Sequence, residues 1–251
     1  MPARRCLVTG AGRGIGAAVA RRLSARGHAV ALTARGEGEL SALAADLPGP
    51  ALVLPADVTD PDAAERVLAR VEQAWGPVEV LVLNAGAGAS APLARTTDAE
   101  WQRMLELNLT APFRLLRRAV PAMVDAGWGR VVAVASVAAK RGEPYIAAYT
   151  ASKHGLLGLV RSAAAELAST GVTVNAVCPA YVDTPMTDAN IDRLSVTTGR
   201  PADEVRAALV RKQPIRRLVT VDEVADAVLL CVDSGAITGQ GINVDGGAVQ
   251  G

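Results

Sequence analysis

Cys6-Leu7-Val8-Thr9-Gly10-Ala11-Gly12-Arg13-Gly14-Ile15-Gly16-Ala17-Ala18-Val19-Ala20-Arg21-Arg22-Leu23 is an apolar run, a glycine cluster and an amphipathic stretch in unbroken succession. The apolar run reads as a short buried strand and the last seven residues as a helix. Strand, glycine turn and helix are the context that a dinucleotide-binding loop requires. Glycines at 10, 14 and 16 let the backbone pass close to a pyrophosphate. The helix start offers free N–H groups and the positive end of its dipole. A glycine-rich turn in another kind of α/β protein is the plainer alternative, and the flanking strand and helix weigh against it.

Outward from this unit the same alternation continues. Residues 29–33, 51–54, 78–83, 131–135, 172–177 and 241–244 read as further strands. Helical patterns fall at 39–47, from Thr59-Asp60-Pro61 to Trp75, at 97–124, through Tyr149 and Lys153 to about 168, and at 221–231. Pro112 is predicted to kink or break the third of these. Near-continuous apolar strands alternating with helices predict a parallel sheet covered on both faces. The fold class is therefore α/β, a single Rossmann-type doubly wound domain over residues 1–251. Ligands of such sheets bind beyond the carboxyl ends of the strands. The glycine loop, Asp57, Asn84, Ser136 and Pro179 all follow strand ends. Residues 183–213 break the alternation, with one helical stretch near 203–209, and read as a substrate lid or a plain surface excursion.

Tyr149 and Lys153 are four residues apart and share a helix face. A phenol has an ordinary pKa of about 10 and exchanges protons poorly at neutral pH until a nearby cation lowers that value. Lys153 is expected to be that cation, which would make Tyr149 a general acid or base. Ser136 is expected to bond the same substrate oxygen. Tyr145 lies two helical turns from Lys153, too far for direct activation.

Taken together, these residues resemble the short-chain dehydrogenase/reductase family over nearly the whole chain. Gly10, Gly14 and Gly16 are similar to its glycine loop, and Asn84-Ala85-Gly86 to its Asn-Ala-Gly element. Asn108, Ser136, Tyr149 and Lys153 match its catalytic tetrad, and Pro179 and Thr184 its segment beside the nicotinamide. Leu83 stands where many members carry a second asparagine, and Ala180 replaces the glycine that usually follows the proline. The resemblance implies hydride transfer between a nicotinamide cofactor and a ketone or secondary alcohol. Tyr149 would act as acid and Ser136 would orient the oxygen. Lys153 would hold the nicotinamide ribose, and Asn108 a relay water. The implied cofactor contacts are Gly10, Arg13, Gly14, Ile15, Gly16, Arg35, Asp57, Val58, Asn84, Ala85, Gly86, Tyr149, Lys153, Pro179, Val182 and Thr184. Lys140, Tyr145 and Tyr181 are the candidates for the substrate pocket.

An NAD-preferring site places a carboxylate about 20 residues beyond the loop. Here the second strand runs Leu32-Thr33-Ala34-Arg35. Arg35, with Arg13 in the loop, suits the 2′-phosphate of NADP(H). Glu37 and Glu39 argue the other way, and NAD(H) stays as the alternative. The segments 177–186 and 205–214 look like both polyketide or 3-oxoacyl ketoreductases and 3-hydroxybutyrate dehydrogenases. The histidine that follows the catalytic serine in the latter is absent from Val137-Ala138-Ala139-Lys140-Arg141. In carrier-protein reductases, arginines at the places of Arg130 and Thr170 dock the carrier, and only the first is basic here. A 3-oxoacyl or polyketide-like ketone leads. A 3-hydroxyacid or alcohol dehydrogenase, or a regulator that keeps the fold without turnover, are the alternatives.

A formal net charge of +1 gives no electrostatic argument for nucleic acid or a membrane surface. Cys6, Cys178 and Cys231 lie far apart in apolar segments and read as free thiols of a reducing cytoplasm. No Cys/His spacing resembles a metal site, and His28 and His154 stand alone. No signal peptide or membrane span is expected. The family resemblance further implies a homo-oligomer, tetramer or dimer.

Overall fold

Each strand places successive side chains on opposite faces, and here both faces are buried. In β1 (Arg5–Thr9), Leu7 joins one apolar cluster while Cys6 and Val8 join the other. The same division runs through β2 (Ala29–Ala34), β3 (Ala51–Pro55), β4 (Val80–Leu83), β5 (Gly129–Val134) and β6 (Val172–Pro179), whereas the edge strand β7 (Gly241–Val244) is half-buried and adds Ile242 and Val244 to the second of these two clusters only. In the computed structural model, which describes residues 2–250, these strands form one parallel sheet in the order β3-β2-β1-β4-β5-β6-β7.

Helices α1 (Gly14–Ala25), α2 (Glu37–Asp46) and α9 (Val221–Asp233) cover one face, burying Leu23, Leu40 and Leu229. On the other face, α3 (Ala63–Trp75), α5 (Ala111–Asp125) and α6 (Ala147–Leu167) bury Leu68, Leu116 and Leu156. A helix α4 (Asp98–Leu105) precedes α5. The chain winds outward from β1 to β3, then crosses to β4. The switch point therefore lies between β1 and β4, where ligands of such sheets bind.

Three details depart from the sequence reading. Helix α3 begins at Ala63, not at Thr59, because Thr59 turns back. Its N–H and Oγ1 donate to Asp57 Oδ1 at 3.0 and 2.7 Å. The long helix over 97–124 is interrupted by a π-helical turn, Glu106–Thr110, which carries Asn108. Pro112 sits in the first turn of α5 just after it, where its missing N–H costs nothing.

The third departure is the lid. It holds two helices, α7 (Pro185–Thr198) and α8 (Ala202–Arg211), instead of one weakly packed stretch. Ile191, Val205 and Leu209 bury against each other, with Tyr181 and Leu194 alongside. The Arg206 guanidinium bridges Asp183 and Asp188. The two ends of the excursion are tied. Asp183 N–H donates to Val219 O at 2.8 Å, and Val219 N–H to Tyr181 O at 3.0 Å. The buried Gln213 amide donates to Tyr181 O and Arg217 O at 3.1 and 2.7 Å.

Candidate active site

Thr9 and Asn84 close the switch point. Thr9 Oγ1 accepts from Asn84 N–H and Ala85 N–H, each at 2.9 Å. The Asn84 amide donates to Thr9 O at 2.9 Å and Gly10 O at 3.1 Å. These bonds fold the glycine loop tightly against the end of β4. Gly10 has φ +62°, a conformation that a Cβ disfavours. At Gly16, a Cβ would stand 2.3 Å from Gly10 O. Helix α1 then starts with no side-chain cap and no acidic residue in its first turn. Its first N–H groups and dipole are thus open to an anion.

At the edge of this cleft, Arg13 and Arg35 are exposed. Glu39 is the surprise. Its carboxylate lies 3.7 Å from the Arg13 guanidinium. It also lies 2.8 and 3.3 Å from where a Cβ of Gly12 and Gly36 would stand. Both partners of that ion pair are largely exposed, so it is weak. Asp57 is held below the usual carboxylate range first by the Thr59 N–H, then by its hydroxyl, with a smaller contribution from Arg35. Val58 is buried beside it.

Asn108 is fully buried. Its amide spans Ala87, accepting from the N–H at 3.1 Å and donating to the carbonyl at 3.0 Å, and also donates to Ser152 Oγ at 3.2 Å. Ser152 Oγ donates onward to Tyr149 O at 2.7 Å. Asn108 therefore ties the loop after β4 to the start of α6.

Tyr149 and Ser136 line the same two cavities, and the Ser136 hydroxyl is close enough to act on the Tyr149 phenol. Ser136 stands in extended backbone at the end of β5, and its Oγ accepts from Ala138 N–H at 3.1 Å. The Tyr149 phenol does not titrate low, as the spacing to Lys153 suggested. Burial pushes it above its ordinary value, and the Ser136 hydroxyl opposes this only in part. The reason is where Lys153 points. Its ammonium donates to Val134 O at 2.9 Å and lies 5.8 Å from the centre of the Tyr149 ring. Lys153 is itself buried, which lowers its pKa to about 8. The phenol is thus protonated at neutral pH, the state that a proton donor needs.

Two cavities meet at this pair. A smaller one of 110 Å³ is lined by Ile15, Asn84, Gly86, Lys153, Pro179, Val182 and Thr184, among others. A larger one of 390 Å³ opens under the lid, against Ala138, Ile146, Tyr181 and Met186. Ser136, Tyr149, Ala180, Met186 and Thr187 line both. Ala180 thus lies at the junction. Thr184 caps α7, with Oγ1 accepting from Thr187 N–H at 3.3 Å.

Of the three expected pocket residues, only Tyr181 lines a cavity. The Lys140 ammonium instead donates to Gly241 O at 2.6 Å, beneath the sheet end. Tyr145 is 66% exposed at the rim. Sequence reasoning missed Glu143, Lys212 and Arg193 on the larger cavity's wall. Arg141 lines it too. Arg130, at the carrier-docking place, is 7% exposed. It stacks on Trp128 and donates to Gly129 O and Gly171 O. A guanidinium so enclosed is not presented to a carrier.

The two histidines stand apart from the site. His28 Nδ1 accepts from Arg4 N–H at 3.1 Å, and His154 bonds Thr150 O on its own helix. All three cysteines are buried and unpaired. Among the described residues no group of three metal-ligating side chains comes together, and no helix is long and apolar enough to cross a membrane.

A sequence model of the family described as short chain dehydrogenase matches residues 4–194. The 3-oxoacyl-(acyl-carrier-protein) reductase MabA of Mycobacterium tuberculosis is 40% identical, over 99% of this chain and 94% of its own. The D-beta-hydroxybutyrate dehydrogenase of Rhizobium meliloti is 33% identical, over 97% of this chain and 98% of its own. A crystal structure of an actinorhodin polyketide ketoreductase with NADPH superposes with a TM-score of 0.94 at 38% identity, covering 98% of this chain and 97% of that one. Identity at this level across the whole length, together with a fold that superposes end to end, leads to one conclusion: the chain belongs to the short-chain dehydrogenase family.

Proposed function

We propose that this protein is an NADP-dependent ketoreductase acting on a 3-oxoacyl or polyketide-like ketone. The observation that carries the reading is the junction of the two cavities at Ser136 and Tyr149. The smaller cavity suits a nicotinamide, and the larger a compact ketone. NADPH, when bound, supplies the hydride. The open N–H groups of α1 hold the pyrophosphate, Arg13 and Arg35 the 2′-phosphate, and Asp57 with Val58 the adenine end. Lys153, fixed on Val134 O, meets the nicotinamide ribose. Ser136 orients the carbonyl oxygen, and Tyr149, kept protonated by burial, delivers its proton there. Asn108 positions the start of α6.

The names of the Mycobacterium and actinorhodin relatives support reduction of a ketone with NADPH. The Rhizobium relative supports a second reading, oxidation of a 3-hydroxy acid. A regulator without turnover has no need of the intact Asn108, Ser136, Tyr149 and Lys153 set. A cytoplasmic homo-oligomer belongs to the same reading, and half-exposed Trp101 and Phe113 on α4 and α5 are consistent with it.

The cofactor assignment is tested at Arg35. A charge-assisted phosphate contact contributes about 1.5–3 kcal/mol. Arg35→Ala is therefore expected to weaken NADPH roughly ten- to a hundredfold while NADH changes little. Fluorescence titration of both cofactors reads this. Equal affinity of the wild type for NADPH and NADH would mean that the two arginines are solvated bystanders, and tighter binding of NADH would mean that Glu39 sets the preference.

A further inference from the structure

Residues 183–213 carry five acidic and five basic side chains, a net charge of zero. The lid nevertheless sorts them by side. Arg193 and Lys212 line the larger cavity, and none of Asp183, Asp188, Asp192, Asp203 or Glu204 does. Asp183 and Asp188 are held by Arg206, and Glu204 pairs with Arg200 along α8. The cavity wall as a whole presents four cations, Arg13, Arg141, Arg193 and Lys212, against the single carboxylate of Glu143.

That carboxylate is already engaged. Arg141 donates to Glu143 Oε1 at 2.7 Å and to Ala248 O at 2.8 Å, and the Tyr181 hydroxyl donates to Glu143 Oε2 at 3.2 Å. Arg141 is thus neutralised and fixed in place. Lys212 is held more loosely, by a long 3.5 Å bond from its ammonium to the Tyr181 hydroxyl and a position 5.7 Å over the Tyr181 ring. Its ammonium lies 3.8 Å from Glu143, beyond hydrogen-bond length, on a half-exposed side chain. Arg193 donates to Asn190 Oδ1 at 2.7 Å and, among the described residues, enters no ion pair. Two lid cations therefore face the cavity with incomplete charge partners.

We infer that the ketone this enzyme reduces carries an anionic group, a carboxylate on the same compact molecule, and that Lys212 and Arg193 grip it. The inference rests on the ketoreductase reading and narrows its substrate to an oxo acid. One cavity of 390 Å³ is lined by Ser136 and Tyr149 and by both cations, so a single small ligand can meet the catalytic pair and the charges together. Lys212, on a flexible stem, swings from Glu143 to the carboxylate, while Arg193 approaches from α7. Both are specificity residues; neither meets the reacting atoms.

The test pairs oxo acids with their methyl esters over a series of chain lengths, using NADPH and the wild-type enzyme. At the fitting length the acid is expected to have a kcat/KM roughly tenfold or more above its ester. The difference should lie in KM and shrink as salt rises. In Lys212→Met and in Arg193→Met the acid-to-ester ratio should fall toward unity, and Lys212→Arg should restore most of it. As a check independent of turnover, the saturated carboxylic acid should raise the Tm of the enzyme with NADP bound, and its methyl ester should not. Esters reduced as well as acids, or ratios unchanged in both methionine variants, would overturn the anion grip and leave the ketoreductase reading standing. No reduction of any ketone, with the saturated acid still raising the Tm, would overturn the ketoreductase reading and leave the grip.

Discussion

Tyr149→Phe is expected to lower kcat for ketone reduction by about 10²–10⁴-fold, the range typical of a lost general acid, while NADPH still binds. Among the described residues the phenol is the one titratable group that lines both cavities. Ser136 lines the same junction. Removing one oxygen leaves the ring packed against the cluster of Ala89, Met104 and Ala148, so folding should change little. Tyr145→Phe is the matched control. That side chain is 66% exposed and lines neither cavity, so its loss should cost less than about threefold. Steady-state kinetics on the three proteins decides the matter. Equal losses in both variants would remove the case for Tyr149 as the proton donor.

Gly16→Ala is expected to be nearly as damaging, through the cofactor. The added Cβ would lie 2.3 Å from Gly10 O and 2.5 Å from the Asn84 amide nitrogen. Neither neighbour yields easily. Gly10 O is backbone, and the Asn84 amide is the clamp that holds the loop to β4. The loop must therefore shift, which costs about 1–3 kcal/mol for an overpacked site. The same shift moves the N–H groups of α1 away from the pyrophosphate. NADPH affinity should fall at least about tenfold, the equivalent of 1.4 kcal/mol, and the Tm should drop. Wild-type NADPH affinity in a folded Gly16→Ala protein would mean that the pyrophosphate lies elsewhere.

The sheet was readable because burial on both faces leaves an almost uninterrupted apolar signature at each strand. The catalytic groups were readable because each follows a strand end or shares a helix face. What escaped is set by contacts between distant segments. The π-helical turn at Glu106–Thr110 adds a residue to a helix whose apolar period continues through it, with only Pro112 as a local sign. The lid helices spread Ile191, Leu194, Val205 and Leu209 thinly among polar residues. Thr184-Pro185 at the start and Gly199 at the end were the available signals. The direction of Lys153 was not readable from spacing, because Val134 O, on another strand, competes for its ammonium. Arg141 and Glu143 meet Tyr181 and Lys212 only once the lid folds back.

The central claim is that a hydride crosses from the smaller cavity to a carbonyl held in the larger one, with Tyr149 supplying the proton. The direct measurement uses NADPH carrying deuterium at the transferable position of the nicotinamide, an oxo acid and the wild-type enzyme. Mass spectrometry of the product is expected to find one deuterium, bound to the carbinol carbon, at a rate that Tyr149→Phe abolishes almost entirely. Product free of deuterium, or no product from any ketone while NADPH is bound, would contradict the account.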